Sequence, residues 1–153
     1  MRFAVALLSL ALAQCSTSGG APADAGDETA IGCANDPRAD AYAPNLRKKG
    51  AAGTFTFVLV SSDPAPPARG SDAWVVRVED AQGAPVANAT VTVKLVMPDH
   101  GHGTSVVPAV TPSGDAWKIA PLYLFMPGLW QITIAATANG ASDSAAFTFC
   151  VAG

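Results

Sequence analysis

From Thr54 onward the chain is divided into short stretches in which apolar and polar side chains alternate, each closed by a Gly- or Pro-rich turn signal. A period of two places successive side chains on opposite faces of a strand, so the pattern demands sheets with one buried and one wetter face. Phe55 and Phe57 share a face, as do Trp74, Val76 and Val78. Val91, Val93, Leu95 and Met97 oppose Thr90, Thr92 and Lys94, and Trp130, Ile132 and Ile134 oppose Gln131 and Thr133. Phe147, Phe149 and Val151 oppose Thr148 and Cys150. The alternation predicts seven strands, at about 54–61, 72–80, 86–97, 104–110, 116–125, 129–138 and 142–151. The turn signals DPAPPARG, AQGAP, PDHGHG, TPSGD, MPG and NGAS separate them.

Seven short strands with one greasy face each predict an all-β fold, an antiparallel immunoglobulin-like sandwich over residues 54–153. Fourteen Gly and 12 Pro in 153 residues argue against a helical bundle. The length allows one ordinary domain. A net charge of −3, with basic residues scattered apart from Arg47-Lys48-Lys49, suggests no phosphate-binding surface, so nucleic acid is not an expected partner. Residues 33–53 form a polar N-terminal arm in which Tyr42 and Leu46 are the best core candidates.

The N-terminus carries an address. Met1-Arg2 precedes the apolar run Phe3 to Ala13, which suits a secretory signal peptide (1–14) and is too short to span a membrane. Two cleavage readings compete. Ala11-Leu12-Ala13 fits ordinary signal peptidase, whereas Leu12-Ala13-Gln14-Cys15 resembles a bacterial lipobox, with Cys15 the site of lipidation. Cysteine parity favours the second: lipidation of Cys15 removes the odd thiol and leaves Cys33 and Cys150 to form a disulfide in an oxidising compartment. Residues 15–32 then serve as a flexible tether. Ser16, in place of the aspartate that commonly retains lipoproteins at the inner membrane, points to the outer membrane, facing the periplasm or the cell surface.

Two stretches carry a family likeness. Glu79 to Val93 (EDAQGAPVANATVTV) resembles a hairpin common to many extracellular immunoglobulin-like modules. Leu95-Val96-Met97-Pro98-Asp99-His100-Gly101-His102-Gly103-Thr104, followed by Leu124-Phe125-Met126-Pro127-Gly128-Leu129-Trp130-Gln131-Ile132, resembles the YtkA-like domain, related to FixH-like proteins. The resemblance spans about residues 70–138 and implies a small exported or membrane-anchored domain of the cell envelope, associated with copper handling and oxidase assembly.

Strands that alternate up and down bring loop 97–103 and turn 125–129 to one pole, with 61–71 also there. Met97, His100, His102 and Met126 are therefore the candidate metal ligands. Imidazole and thioether donors together suit copper, and thioether sulfur suits Cu(I) in particular. Asp99 is placed to add an oxygen or to orient an imidazole. The competing reading makes Met97 and Met126 caps of the core and the histidines a solvated loop tip. Catalysis is not expected. Both histidines lie in one loop, a hydrolytic zinc would need a further ligand and an open position, and no nucleophile elbow, P-loop or dinucleotide fingerprint is present. The sequence thus predicts a non-catalytic exported lipoprotein that binds copper. Its partners are the lipid anchor and an envelope protein, and no small-molecule substrate is evident. The alternative is an envelope interaction module without metal.

Overall fold

The apolar halves of the alternating stretches meet face to face. The structure, a computed structural model, describes residues 32–153. The signal peptide (1–14), Cys15 and nearly all of the tether lie outside the described residues. Eight strands follow in order: β1 Leu46–Lys49, β2 Thr56–Asp63, β3 Gly70–Glu79, β4 Thr90–Val96, β5 Ala109–Ser113, β6 Ala116–Leu124, β7 Gly128–Ala138 and β8 Ala141–Val151. All pairings are antiparallel, in one sheet of order β1-β2-β3-β6-β5 and a second of order β4-β7-β8. Without β1 this is the four-plus-three arrangement of the immunoglobulin sandwich. Among the described residues no helix is long and apolar enough to cross a membrane.

The facing sides of the two sheets supply the core. Phe57, Leu59, Trp74, Val76, Val78, Ile119, Leu122 and Leu124 come from the first sheet, and Trp130, Ile132, Ile134, Phe147 and Phe149 from the second. At the centre Trp74 stands edge-on to Phe147 and Phe149, with ring centroids 6.1 and 5.6 Å away, the geometry that the ring quadrupoles favour. The β7–β8 hairpin turns on Asn139-Gly140, at φ 53° and 78°. A two-residue type I′ turn needs positive φ at both central positions, and Asn-Gly tolerates it at least cost.

The strand reading needs three corrections. There are eight strands rather than seven, because Leu46–Lys49 in the arm pairs with β2. The stretch expected as strand from residue 86 begins only at Thr90: Ala89 N donates to Val86 O at 3.2 Å, a turn that follows the donor-less Pro85. The stretch expected at 104–110 is a crossover between the two sheets, and β5 runs instead over 109–113. Thr104 Oγ1 accepts from Val106 N at 3.1 Å, folding the chain locally before it reaches the first sheet. Pro112 then sits within β5, an edge strand, where a missing donor is tolerated.

The arm closes the opposite side of the sandwich. β8 is an edge strand, and every second residue along its outer edge is engaged. Ala51 N donates to Ser144 O at 2.9 Å and Lys48 Nζ to Ala146 O at 2.7 Å. Asp40 N donates to Thr148 O at 2.6 Å, and its carboxylate accepts from Thr148 N at 2.7 Å. Cys150 completes the series through its disulfide with Cys33, 117 residues away, with Cα atoms 5.4 Å apart. Closing so long a loop contributes ~4–5 kcal/mol in the chain-entropy model. Tyr42 and Leu46, the expected core candidates of the arm, pack against the core.

Asp143 anchors the far end of this seam. Its carboxylate accepts from Ala52 N, Thr54 N and Phe55 N at 2.8–3.0 Å and from Ser144 N at 2.8 Å. Burial pushes its pKa up, but these four donors push it further down, so it ends below the usual 3.8. A lowered folded-state pKa stabilises the fold above the ordinary carboxyl value, and this contribution is lost as pH falls through the lowered one. Asp143→Ala should therefore cost ~2–3 kcal/mol at neutral pH by stranding the buried Phe55 N–H and three part-buried ones, and the loss should shrink in acid. Urea unfolding at several pH values measures both. A cost that does not change with pH would contradict the charge-assisted cap.

Candidate metal-binding pole

β4 and β6 both run toward one pole. There the chain leaving β4 folds back on itself: Met97 N donates to His102 O at 2.7 Å, while Met97 O accepts from His100 N at 3.2 Å and from Gly101 N at 2.9 Å. The inward parity of β4 drives the Met97 side chain into the molecule, where it is 1% exposed. Its Cε lies 2.8 Å from where a Cβ on Gly128 would stand. Gly128 also has φ 129°, a conformation that side chains disfavour. Trp130, fully buried, donates its Nε1–H to Met126 O at 2.9 Å and so fixes the turn that carries Met126. The two motif halves are thus one packed unit.

Met97, Asp99, His100, Met126 and Leu129 line a single cleft of about 250 Å³, with Gly32, at the end of the tether, along its wall. Met126 is half-buried, and His100 is exposed at the rim. His102 lies to one side of this cleft, its ring stacked on Phe125 at 6.0 Å with an interplanar angle of 25°. The two imidazole centroids are 5.5 Å apart. Phe125 in turn stands edge-on to Trp130 at 5.5 Å. Three of the four expected ligands therefore share one cleft, with the fourth beside it.

The Asp99 carboxylate is engaged elsewhere. Arg38 grips both of its oxygens, Nη1 to Oδ1 at 2.7 Å and Nη2 to Oδ2 at 2.8 Å. The same guanidinium holds Asp36, through Nε at 2.9 Å and Nη2 at 2.6 Å. Hydrogen bonding from Arg38 lowers Asp36 to about 2 and holds Asp99 below the usual carboxylate range. Nothing in the local sequence of the arm singles out Arg38, because its partner lies 61 residues away.

A second residue did carry a signal. Asp72 falls on the inward parity of Trp74, Val76 and Val78. It is buried, with one oxygen accepting weakly from Ala68 N at 3.4 Å, and burial raises its carboxyl to about 6. It sits under loop 64–69 and outside the cleft.

Among the described residues no three His, Cys, Asp or Glu side chains cluster as metal ligands. An ion at this pole would therefore depend on thioether sulfur as well as imidazole nitrogen, a soft donor set suited to copper rather than to calcium or magnesium.

The lock between Met97 and Gly128 is open to test. Gly128→Ala adds both a clash with the Met97 methyl and an unfavourable φ, and should destabilise by ~1–3 kcal/mol in thermal melts. Wild-type melting would mean that Met97 does not fill this space.

No curated protein matches the chain. Among solved structures, FetP of uropathogenic E. coli strain F11, expressed in the periplasm of E. coli, is similar at 9% identity and a TM-score of 0.45, covering 71% of this chain and 94% of that one. The family model described as YtkA-like matches residues 50–135, which run from β2 into β7 and include both motif halves, while β1, β8 and the disulfide lie outside. By that match over more than half of its length, the chain belongs to the YtkA-like family.

Proposed function

We propose that this protein is a non-catalytic lipoprotein of the cell envelope that binds a copper ion at the pole formed by Met97, His100, His102 and Met126, as an accessory to envelope metal handling or oxidase assembly. The observation that carries the reading is the shared cleft: Met97 and His100 from one loop and Met126 from another line one space. Met126 and His100 would bind first, being less buried than Met97. Their donor set favours Cu(I), whose affinity for sulfur exceeds that of the harder divalent ions. Family membership and a disulfide fit an exported envelope protein. Acylation of Cys15 would hold the protein at the outer membrane.

A second reading has an observation of its own. Met97 is almost fully buried against Gly128, as a core-capping residue would be, which favours an interaction module without metal. The two readings separate in one experiment. The His100→Ala plus His102→Ala double variant should lose Cu(I) affinity in anaerobic titration while its metal-free melting temperature stays at the wild-type value, because both side chains lie outside the core. Wild-type affinity in the double variant would overturn the metal site.

A further inference from the structure

The metal cleft is not built from the sandwich alone. Gly32, the residue before Cys33, lines it. Cys33 is bonded to Cys150, which pairs in register with Leu129, another lining residue. From Cys33 a short run of bonds leads back to the ligand loop. Asp36 N donates to Cys33 O at 3.1 Å and Ala39 N to Asp36 O at 3.0 Å, which folds residues 33–39 into tight turns. The Asp36 carboxylate accepts from Arg38 N at 2.8 Å and from its guanidinium, so the Arg38 fork is aimed by its own turn. That fork then holds both oxygens of Asp99, the neighbour of His100.

A two-pronged guanidinium–carboxylate pair fixes direction as well as distance, which a single ion pair does not. Backbone bonds to Met97 hold the turn of this loop, but Asp99 and His100 are exposed, and Arg38 is what holds the Asp99 side chain in place.

Building on the copper reading of the cleft, we infer that Arg38 is a positioning residue for His100, acting through Asp99, and that the Cys33–Cys150 disulfide holds Arg38 in place, so that the affinity for the cation depends on the thiol–disulfide state of the chain. Reduction follows ordinary exchange. A thiolate of a dithiol attacks one sulfur of the pair, the Cys33–Cys150 bond breaks, and the departing cysteine takes up a proton. The second thiol of the dithiol then displaces the other cysteine, so two electrons pass to the pair and the dithiol leaves as a disulfide. With the bond broken, residues 32–36 lose their covalent tie to β8, and the turn that aims Arg38 is held to that strand on one side only, through Asp40 and Thr148.

The test uses full-length protein in detergent, loaded anaerobically with Cu(I) against a chromophoric Cu(I) chelator. Removing a group that orients a ligand weakens metal binding about 10- to 100-fold, so Arg38→Gln and the Cys33→Ser plus Cys150→Ser double variant should each bind at least ~10-fold more weakly than wild type. Arg38→Lys, which keeps the charge without the fork, should fall between. In metal-free Arg38→Gln the NMR signals of the His100 ring should shift while those of the Ile132 and Ile134 methyls stay in place, a pattern that general destabilisation would not produce. If the cysteine variant fails to fold, Arg38→Gln decides alone, because Arg38 is half-exposed and outside the core. Wild-type affinity in folded Arg38→Gln overturns the inference and leaves the metal site standing. Absence of Cu(I) binding by the wild-type protein overturns both.

Discussion

An immunoglobulin-like sandwich has open edges, and an unpaired edge is a template for aggregation unless something covers it. Here the edge of β8 is covered by the chain's own arm, at residues 144, 146, 148 and 150, with backbone, ammonium, carboxylate and disulfide partners in turn. Much of the architecture depends on this seam. It brings β1 to the edge of the first sheet, sets Lys48 over the Phe147 ring at 5.6 Å, and gives Asp143 its donors. It also delivers the start of the described chain to the pole that holds Met97 and Met126. The family match covers residues 50–135, so β8 and the arm up to Lys49 lie outside it, while Ala51 to Phe55 of the seam lie within.

The pole shows why the two motif halves work as one. Met97 fills the space that Gly128 leaves open, and Trp130 clamps the carbonyl of Met126 from below. A bulkier residue at 128 would displace the Met97 methyl, and a ring without an N–H at 130 would leave the Met126 carbonyl without this donor. Met97 therefore serves the core through its methyl and the cleft through its position on the wall. The histidines are exposed and outside the core, His102 touching its edge only through Phe125, which separates their chemistry from folding.

Alternation made the faces of β3, β4, β7 and β8 legible, because inner-face residues recur at every second position and those between them are mostly less buried. β1 was not legible. Its sequence, Leu-Arg-Lys-Lys, lacks the alternation, and it is held by main-chain pairing to β2 and by the Arg47–Glu79 and Lys48–Asp40 ion pairs. The stretch after Gly103 misled for a different reason: Val106 and Val107 read as strand, yet the chain there is crossing between sheets, and Val107 is 86% exposed. At the pole, strand direction alone brought loop 97–103 and turn 125–129 together. The Arg38–Asp99 pair was out of reach, since neither charge occupies an unusual local setting and only the folded arm joins them.

The central claim is that a copper ion at this pole is held by sulfur and nitrogen together. X-ray absorption at the copper K edge of the Cu(I)-loaded protein measures this directly. The account predicts thioether sulfur and imidazole nitrogen in one coordination shell, at ~2.0–2.4 Å by analogy with other soft metal sites. A shell of nitrogen and oxygen alone would place any bound copper on the exposed histidines and leave Met97 and Met126 to the core.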